Sequence, residues 1–192
     1  MSLTPFVRHT GKCAALPRAN IDTDQIIPKQ FLKRVERTGF GPALFHDWRA
    51  NPDFELNQPE ARDATILITG ANFGCGSSRE HAVWALAEYG FRAIVAPSFA
   101  DIFTANCYQN GVAPVRLSGD GIDELSRRCR AGRGAYRLTV DVEAQLVTDD
   151  AGFRAPFAME PYRREMLLRG LDEIGRSLLE EPRIAAFERS RS

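Results

Sequence analysis

Residues 64–70, ATILITG, read as a buried strand, apolar on both faces at its centre (Ile66, Leu67, Ile68), that stops on a glycine, and an apolar helical pattern resumes only after the turn ANFGCGSSRE. A run with no polar face must be covered on both sides, which is the setting of a central strand in an α/β sheet. The stretch from Ser78 to Tyr89 then carries Val83, Leu86 and Ala87 at helical spacing, with Gly90 as its stop. The alternation continues: FRAIVAPS predicts a strand, FADIFTANCYQNG a helix and VAPVRL a short strand. Beyond it, YRLTVDVEAQLVTDDAGFRAPF predicts antiparallel strands added to the same sheet. The expected class is α/β, a mixed β-sheet core flanked by helices.

The flanks are less regular. Phe6-Val7 and Ala14-Ala15-Leu16 alternate loosely, as a short hairpin does. In NIDTDQIIPKQFLKRVERTGFG, Asp22, Thr23 and Asp24 supply turn or capping side chains, Pro28 suits a first helical turn, and Lys33, Arg34, Arg37 and Gly39 make the following loop cationic. Residues 52–62 are polar and proline-punctuated and predict a surface connection. The tail from about 160 to 192 carries Leu167, Leu171, Ile174 and Leu178 at helical intervals, broken by Gly170 and Gly175, which predicts two or three short helices. With 192 residues and 44% apolar content, one domain spanning 1–192 is expected.

Charge excludes several classes of function. Lys plus Arg and Asp plus Glu both number 25, so no global field draws nucleic acid or an anionic membrane. No stretch reaches the roughly 20 apolar residues of a membrane helix, and MSLTPFVRHTGK has no signal-peptide core, so a cytoplasmic chain is expected. Cys13, Cys75, Cys107 and Cys129 form no C-x-x-C pair, which fits reduced thiols. His9, His46 and His81 show no metal-ligand spacing, so no metal is expected on this chain.

The turn itself admits two readings. Ser77-Ser78-Arg79-Glu80 fits a capping box, with Ser77 capping the helix and Glu80 reaching back. The same placement puts the Ser77 oxygen in a field that stabilises an alkoxide. Gly74 and Gly76 allow positive φ and close approach, so that backbone N–H groups around Gly74, Cys75 and Gly76 can face an anion. A phosphate-binding P-loop requires a lysine where Gly76 stands, G-x-G-x-x-G breaks at Arg79, and G-x-S-x-G is absent. A carboxylate-sized anion site centred on a hydroxyl remains. Arg79 at a helix start is electrostatically disfavoured unless an anion accompanies it. The competing readings are a thiol enzyme with Cys75 as nucleophile and His81 as base, and a stand-alone anion-binding module.

The segments NIDTDQIIPKQFLK, GANFGCGSSREHAVWAL, FADIFTANCYQNG and GLDEIGRSL resemble, nearly end to end, the 3-isopropylmalate dehydratase small-subunit family of the aconitase superfamily, in its bacterial form. Homoaconitase and methylmalate- or citraconate-type dehydratase small subunits share much of the pattern. The resemblance implies the barrel-like swivelling domain of aconitase as a separate polypeptide, closing over a large subunit that carries a [4Fe–4S] cluster. It implies a hydro-lyase subunit in leucine biosynthesis, inactive alone, acting on a small dicarboxylate. By motif position, Ser77 is the implied base; Ser78, Arg79 and Asp24 are implied substrate-site residues, together with an arginine of the 33–41 loop, Arg34 or Arg37. That loop is the implied sensor of the isopropyl group.

Overall fold

The computed structural model describes residues 3–33 and 38–189, with the backbone alone at 179, 182 and 184–186. Strands β1 (Arg8–Leu16), β2 (Ile66–Thr69), β3 (Ala93–Ala96), β4 (Ala113–Arg116), β5 (Arg137–Asp141), β6 (Leu146–Thr148) and β7 (Arg154–Pro156) form one sheet in the order β4-β3-β2-β1-β5-β6-β7. The helices are α1 (Thr23–Ile26), α2 (His46–Arg49), α3 (Glu80–Tyr89), α4 (Asp101–Gln109), α5 (Gly119–Ala131), α6 (Pro161–Arg169), α7 (Glu173–Leu179) and α8 (Glu181–Arg189). The sheet is mixed, as expected, and curls into a half-barrel with helices packed on it.

β1 joins the two halves of the sheet. Arg8–Lys12 runs antiparallel to β5, whereas Cys13–Leu16 runs parallel to β2. The N-terminal hairpin expected from the loose alternation is therefore replaced by one continuous strand; its partners lie far away in sequence, so local pattern cannot reveal them.

Side-chain alternation then divides the core. Ile66 and Ile68 join Val95, Val115, Leu138 and Val140 on one face, under Ile122, Leu125 and Cys129 of α5 and Leu167 of α6. Leu67 joins Leu16, Ile94 and Ala96 on the other, under Ala82, Val83 and Leu86 of α3 and Phe103 of α4. This explains the apolar centre of β2, Ile66 to Ile68: each residue has a covered face to fill, and each large apolar side chain so buried contributes about 1.5–3 kcal/mol.

Two readings need correction. Residues 52–62 are not a plain surface connection, because Phe54, Leu56 and Ala61 are buried in two 3₁₀ turns against β1. Helix α5 is not anticipated, since Gly119 and Gly121 open it and DELSRRCR is mostly polar. Its signal was the Ser118 cap, whose side chain accepts the Gly121 N–H, and the spacing of Ile122, Leu125, Ser126 and Cys129, all buried.

The turn after β2 is laid directly onto the chain leaving β1. A Cβ on Gly70 would stand 2.5 Å from the Arg18 carbonyl carbon, so only glycine permits this approach. The Asn20 N–H donates to the Ala71 carbonyl at 2.8 Å, the Gly74 N–H to the Ile21 carbonyl at 2.8 Å, and the Thr23 N–H to the Cys75 carbonyl at 2.9 Å. Gly74 has φ +74°, and a Cβ there would lie 2.2 Å from the Phe103 ring. Gly74→Ala is accordingly expected to destabilise the chain by about 2–4 kcal/mol, from left-handed backbone strain plus overpacking. Denaturant unfolding checks this, and a loss under about 0.5 kcal/mol would contradict the packing described.

Candidate active site

The pairing of residues 20–23 with 71–77 brings two motifs, far apart in sequence, to one cleft. Asp22 caps α1, accepting the Gln25 N–H at 2.7 Å while its own N–H donates to the Gln25 side chain at 2.9 Å. With Asp22 engaged as the cap, Asp24 projects from the first turn of α1 and forms an ion pair with Arg79. The Arg79 side chain is only 11% exposed, whereas that of Asp24 is 41% exposed, and Lys29 approaches Asp24 at 4.0 Å. A largely buried guanidinium needs a partner, and one carboxylate leaves part of its donor fork available.

The capping box expected at Ser77 and Glu80 does not form. α3 begins at Glu80, Arg79 occupies the N-cap, and no side chain caps it. Glu80 instead accepts a hydrogen bond from Asn110 Nδ2 at 3.0 Å, while the Ser77 carbonyl accepts from Thr23 Oγ1 at 2.8 Å. The turn is thus fastened to α1, and the Ser77 side chain is left exposed with no protein partner among the described residues.

The amides follow the same division. The Gly74 N–H is spent on Ile21, so Gly74 shapes the turn and supplies no free donor. The N–H groups of Gly76, Ser77 and Ser78 have no protein acceptor among the described residues. Three consecutive amides, the Ser77 hydroxyl and the Arg79 guanidinium are thus grouped at this turn, the set of donors that a positive-φ turn can offer an anion; Gly76 has φ +89°. Thr23, Gly74, Gly76, Ser77, Ser78 and Arg79 line a cleft of about 250 Å³, which Ala100, Asp101, Ile102 and Phe103 from the start of α4 complete. Ile102 is 54% exposed there, an apolar wall absent from the sequence reading; only the spatial proximity of α4 reveals it. Arg34 and Arg37 lie outside the described residues.

Cys75 pairs with Asp22 in this zipper, and burial, with a further push from Asp22, holds its thiol above the usual range. It is therefore protonated and weakly nucleophilic at neutral pH. His81 packs edge-on against Phe40 at 5.2 Å and against Trp84 at 4.6 Å, and burial lowers its pKa. Cys13, Cys107 and Cys129 are buried elsewhere in the core, and burial raises all three pKa values, that of Cys129 to about 11 and those of the more deeply buried Cys13 and Cys107 further. Four such dispersed thiols do not fit the ligand set of an iron–sulfur cluster. Among the described residues, no group of three or more His, Cys, Asp or Glu side chains is placed to hold a metal ion. A larger cavity of about 540 Å³ opens between β1, residues 55–61 and the end of α5, but no functional motif of the sequence lines it.

Residues 3–120 match the family model for the aconitase C-terminal domain, and residues 123–161 match the LeuD_N model. A 3-isopropylmalate dehydratase small subunit from Anoxybacillus flavithermus is 57% identical over 99% of this chain and 100% of its own length. Those of Geobacillus kaustophilus and Rhodopirellula baltica are 58% and 56% identical, each over 97% of this chain and over 97% and 98% of their own lengths. The crystal structure of 3-isopropylmalate dehydratase from Methanocaldococcus jannaschii, 22% identical, superposes with a TM-score of 0.66 over 95% of this chain and 99% of that one, a likeness of fold. With matches that run through both motif segments and nearly the whole length, the chain belongs to the 3-isopropylmalate dehydratase small-subunit family of the aconitase superfamily.

Proposed function

We infer that this chain is the small subunit of a heteromeric hydro-lyase that interconverts 2-isopropylmalate and 3-isopropylmalate by dehydration and rehydration in leucine biosynthesis. The observation that carries the reading is the Ser77 hydroxyl, which has no partner among the described residues, flanked by three amides likewise without an acceptor among them and by Arg79 in one cleft. Ser77 is the base that takes the proton from the carbon next to the one losing hydroxide, and it returns that proton to the alkene in the reverse sense. A free serine hydroxyl is far too weakly acidic for this role; the adjacent guanidinium, the free amides and the positive end of α3 favour its ionised form.

Arg79, steadied by Asp24, binds a substrate carboxylate, and Ser78 adds a hydrogen bond. The backbone amides of Gly76 to Ser78 bind the same or a second carboxylate. The departing hydroxyl requires a Lewis acid, which a [4Fe–4S] cluster supplies; this chain's thiols do not fit one, so the cluster belongs to a large partner subunit. The chain works in the cytoplasm, and among the described residues no helix is long and apolar enough to cross a membrane.

In a complex reconstituted anaerobically with the large subunit, Ser77→Ala is expected to lower kcat by roughly 10²–10⁴-fold with a much smaller change in KM. Cys75→Ala is the contrast, with turnover within about twofold of the parent. Near-normal turnover in Ser77→Ala, or its abolition in Cys75→Ala, would overturn these assignments. Arg79→Lys keeps the charge but not the two-pronged donor, so kcat/KM for 2-isopropylmalate is expected to fall about 10–100-fold, mainly through KM. Steady-state kinetics would settle it, unchanged KM being the contrary result.

A further inference from the structure

The end of α4 reaches back to the start of α3 through one side chain. Asn110, the C-cap of α4, uses every arm of its amide. Its Nδ2 donates to Glu80 Oε1 at 3.0 Å and to the Asn106 carbonyl at 2.8 Å, and its Oδ1 accepts the Trp84 indole N–H at 3.0 Å. Glu80 and Trp84 are four residues apart and share one face of α3, so Asn110 bridges them there.

Glu80 links that bridge to the cleft. It follows Arg79 directly and lies three residues beyond Ser77, the spacing from which a glutamate returns to the amide of a capping serine. That return would occupy two of the groups on which the cleft depends: the Ser77 N–H would donate to the Glu80 carboxylate, and the Ser77 hydroxyl oxygen would accept the Glu80 N–H. It would also set a carboxylate beside the amides of Gly76, Ser77 and Ser78, which have no acceptor among the described residues. None of this happens, although the local sequence favours it. Arg79 is the N-cap, no side chain caps α3, and the Glu80 carboxylate is turned to Asn110. Asparagine suits this task because a neutral amide donates to a carboxylate and accepts from an indole at once. An ionised aspartate has no donor to offer Glu80 and sets a like charge against it.

We propose that Asn110 is a positioning residue for the reaction: by holding the Glu80 carboxylate it keeps the start of α3 uncapped, and so leaves the Ser77 hydroxyl and the adjoining amides available to the substrate. This rests on the functional reading above. Asn110 does not line the cleft and acts through Glu80, which on release becomes an internal anion competing with the substrate's carboxylate.

The test is a double-substitution cycle in the complete complex with its large subunit, with 2-isopropylmalate as substrate and thermal melting measured in parallel. Asn110→Asp keeps the shape of the side chain and removes its donors. It is expected to raise KM about tenfold and lower kcat about threefold, as a released carboxylate takes up the charge-assisted bonds meant for the substrate and the Ser77 oxygen becomes a cap. Glu80→Ala removes the competing carboxylate and is expected to keep kcat/KM within about threefold of the parent. Asn110→Asp combined with Glu80→Ala is expected to return to that same range, because no glutamate remains to close the box. Asn110→Ala, alone and with Glu80→Ala, serves should Asn110→Asp fail to fold. A merely structural role for Asn110 predicts the opposite, since two lost contacts then add and the double variant is the worst of the set. Parent-like kinetics in a folded Asn110 variant, a double variant no better than the single one, or a Glu80→Ala variant as impaired as Asn110→Asp overturns the proposal. Failure of the parent complex to turn over 2-isopropylmalate would instead overturn the functional reading.

Discussion

The backbone pairing of residues 20–23 with 71–77 is the contact on which the site depends. Its strength lies less in the few hydrogen bonds, each contributing on the order of 1 kcal/mol, than in what close approach forbids. Gly70 has no room for a side chain against the Arg18 backbone, which is why the turn can meet the chain leaving β1, and Gly74 has none against the Phe103 ring of α4. Once joined, the segments place Asp24 against Arg79 across a sequence separation of 55 residues. Neither motif brings these groups together alone.

That contact also changes what the helix start can do. A serine engaged in capping has its oxygen occupied by backbone donors. Here Thr23 holds the Ser77 carbonyl and Asn110 holds Glu80, so the cap is absent and the Ser77 hydroxyl has no partner among the described residues. Arg79 at the positive end of α3 is disfavoured by about 0.3–1 kcal/mol at an exposed site, an effect that the Asp24 carboxylate offsets. The pair gives a guanidinium held in place with donors remaining, a setting suited to binding carboxylates reversibly.

Much of the architecture could be read from pattern. β2, α3, β3, α4 and β4 appear in the expected order, because each is short, strongly apolar and ended by glycine or a polar cluster. The N-terminal strand misleads because its alternation fits a hairpin as well as a strand with two distant partners. α5 escapes notice because glycines open it and its apolar residues are sparse. In the candidate site, Ser77 and Arg79 stand out from residue type and position, whereas Asp24 and Ser78 enter only through the family resemblance, and the capping box is a false lead, since S-x-x-E is a local preference that stronger tertiary bonds override.

The sequence by itself determined the alternation of strands and helices, the glycine turn, and the identity of the hydroxyl and guanidinium, because these follow from residue type and short-range spacing. Tertiary structure alone decided that Asp24 meets Arg79, that the Ser77 oxygen is left uncapped, that Gly74 spends its amide internally, and that Asn110 holds Glu80. The physical reason is that a hydrogen-bonding group takes the best partner within reach, and which partners are within reach is set by how distant segments pack.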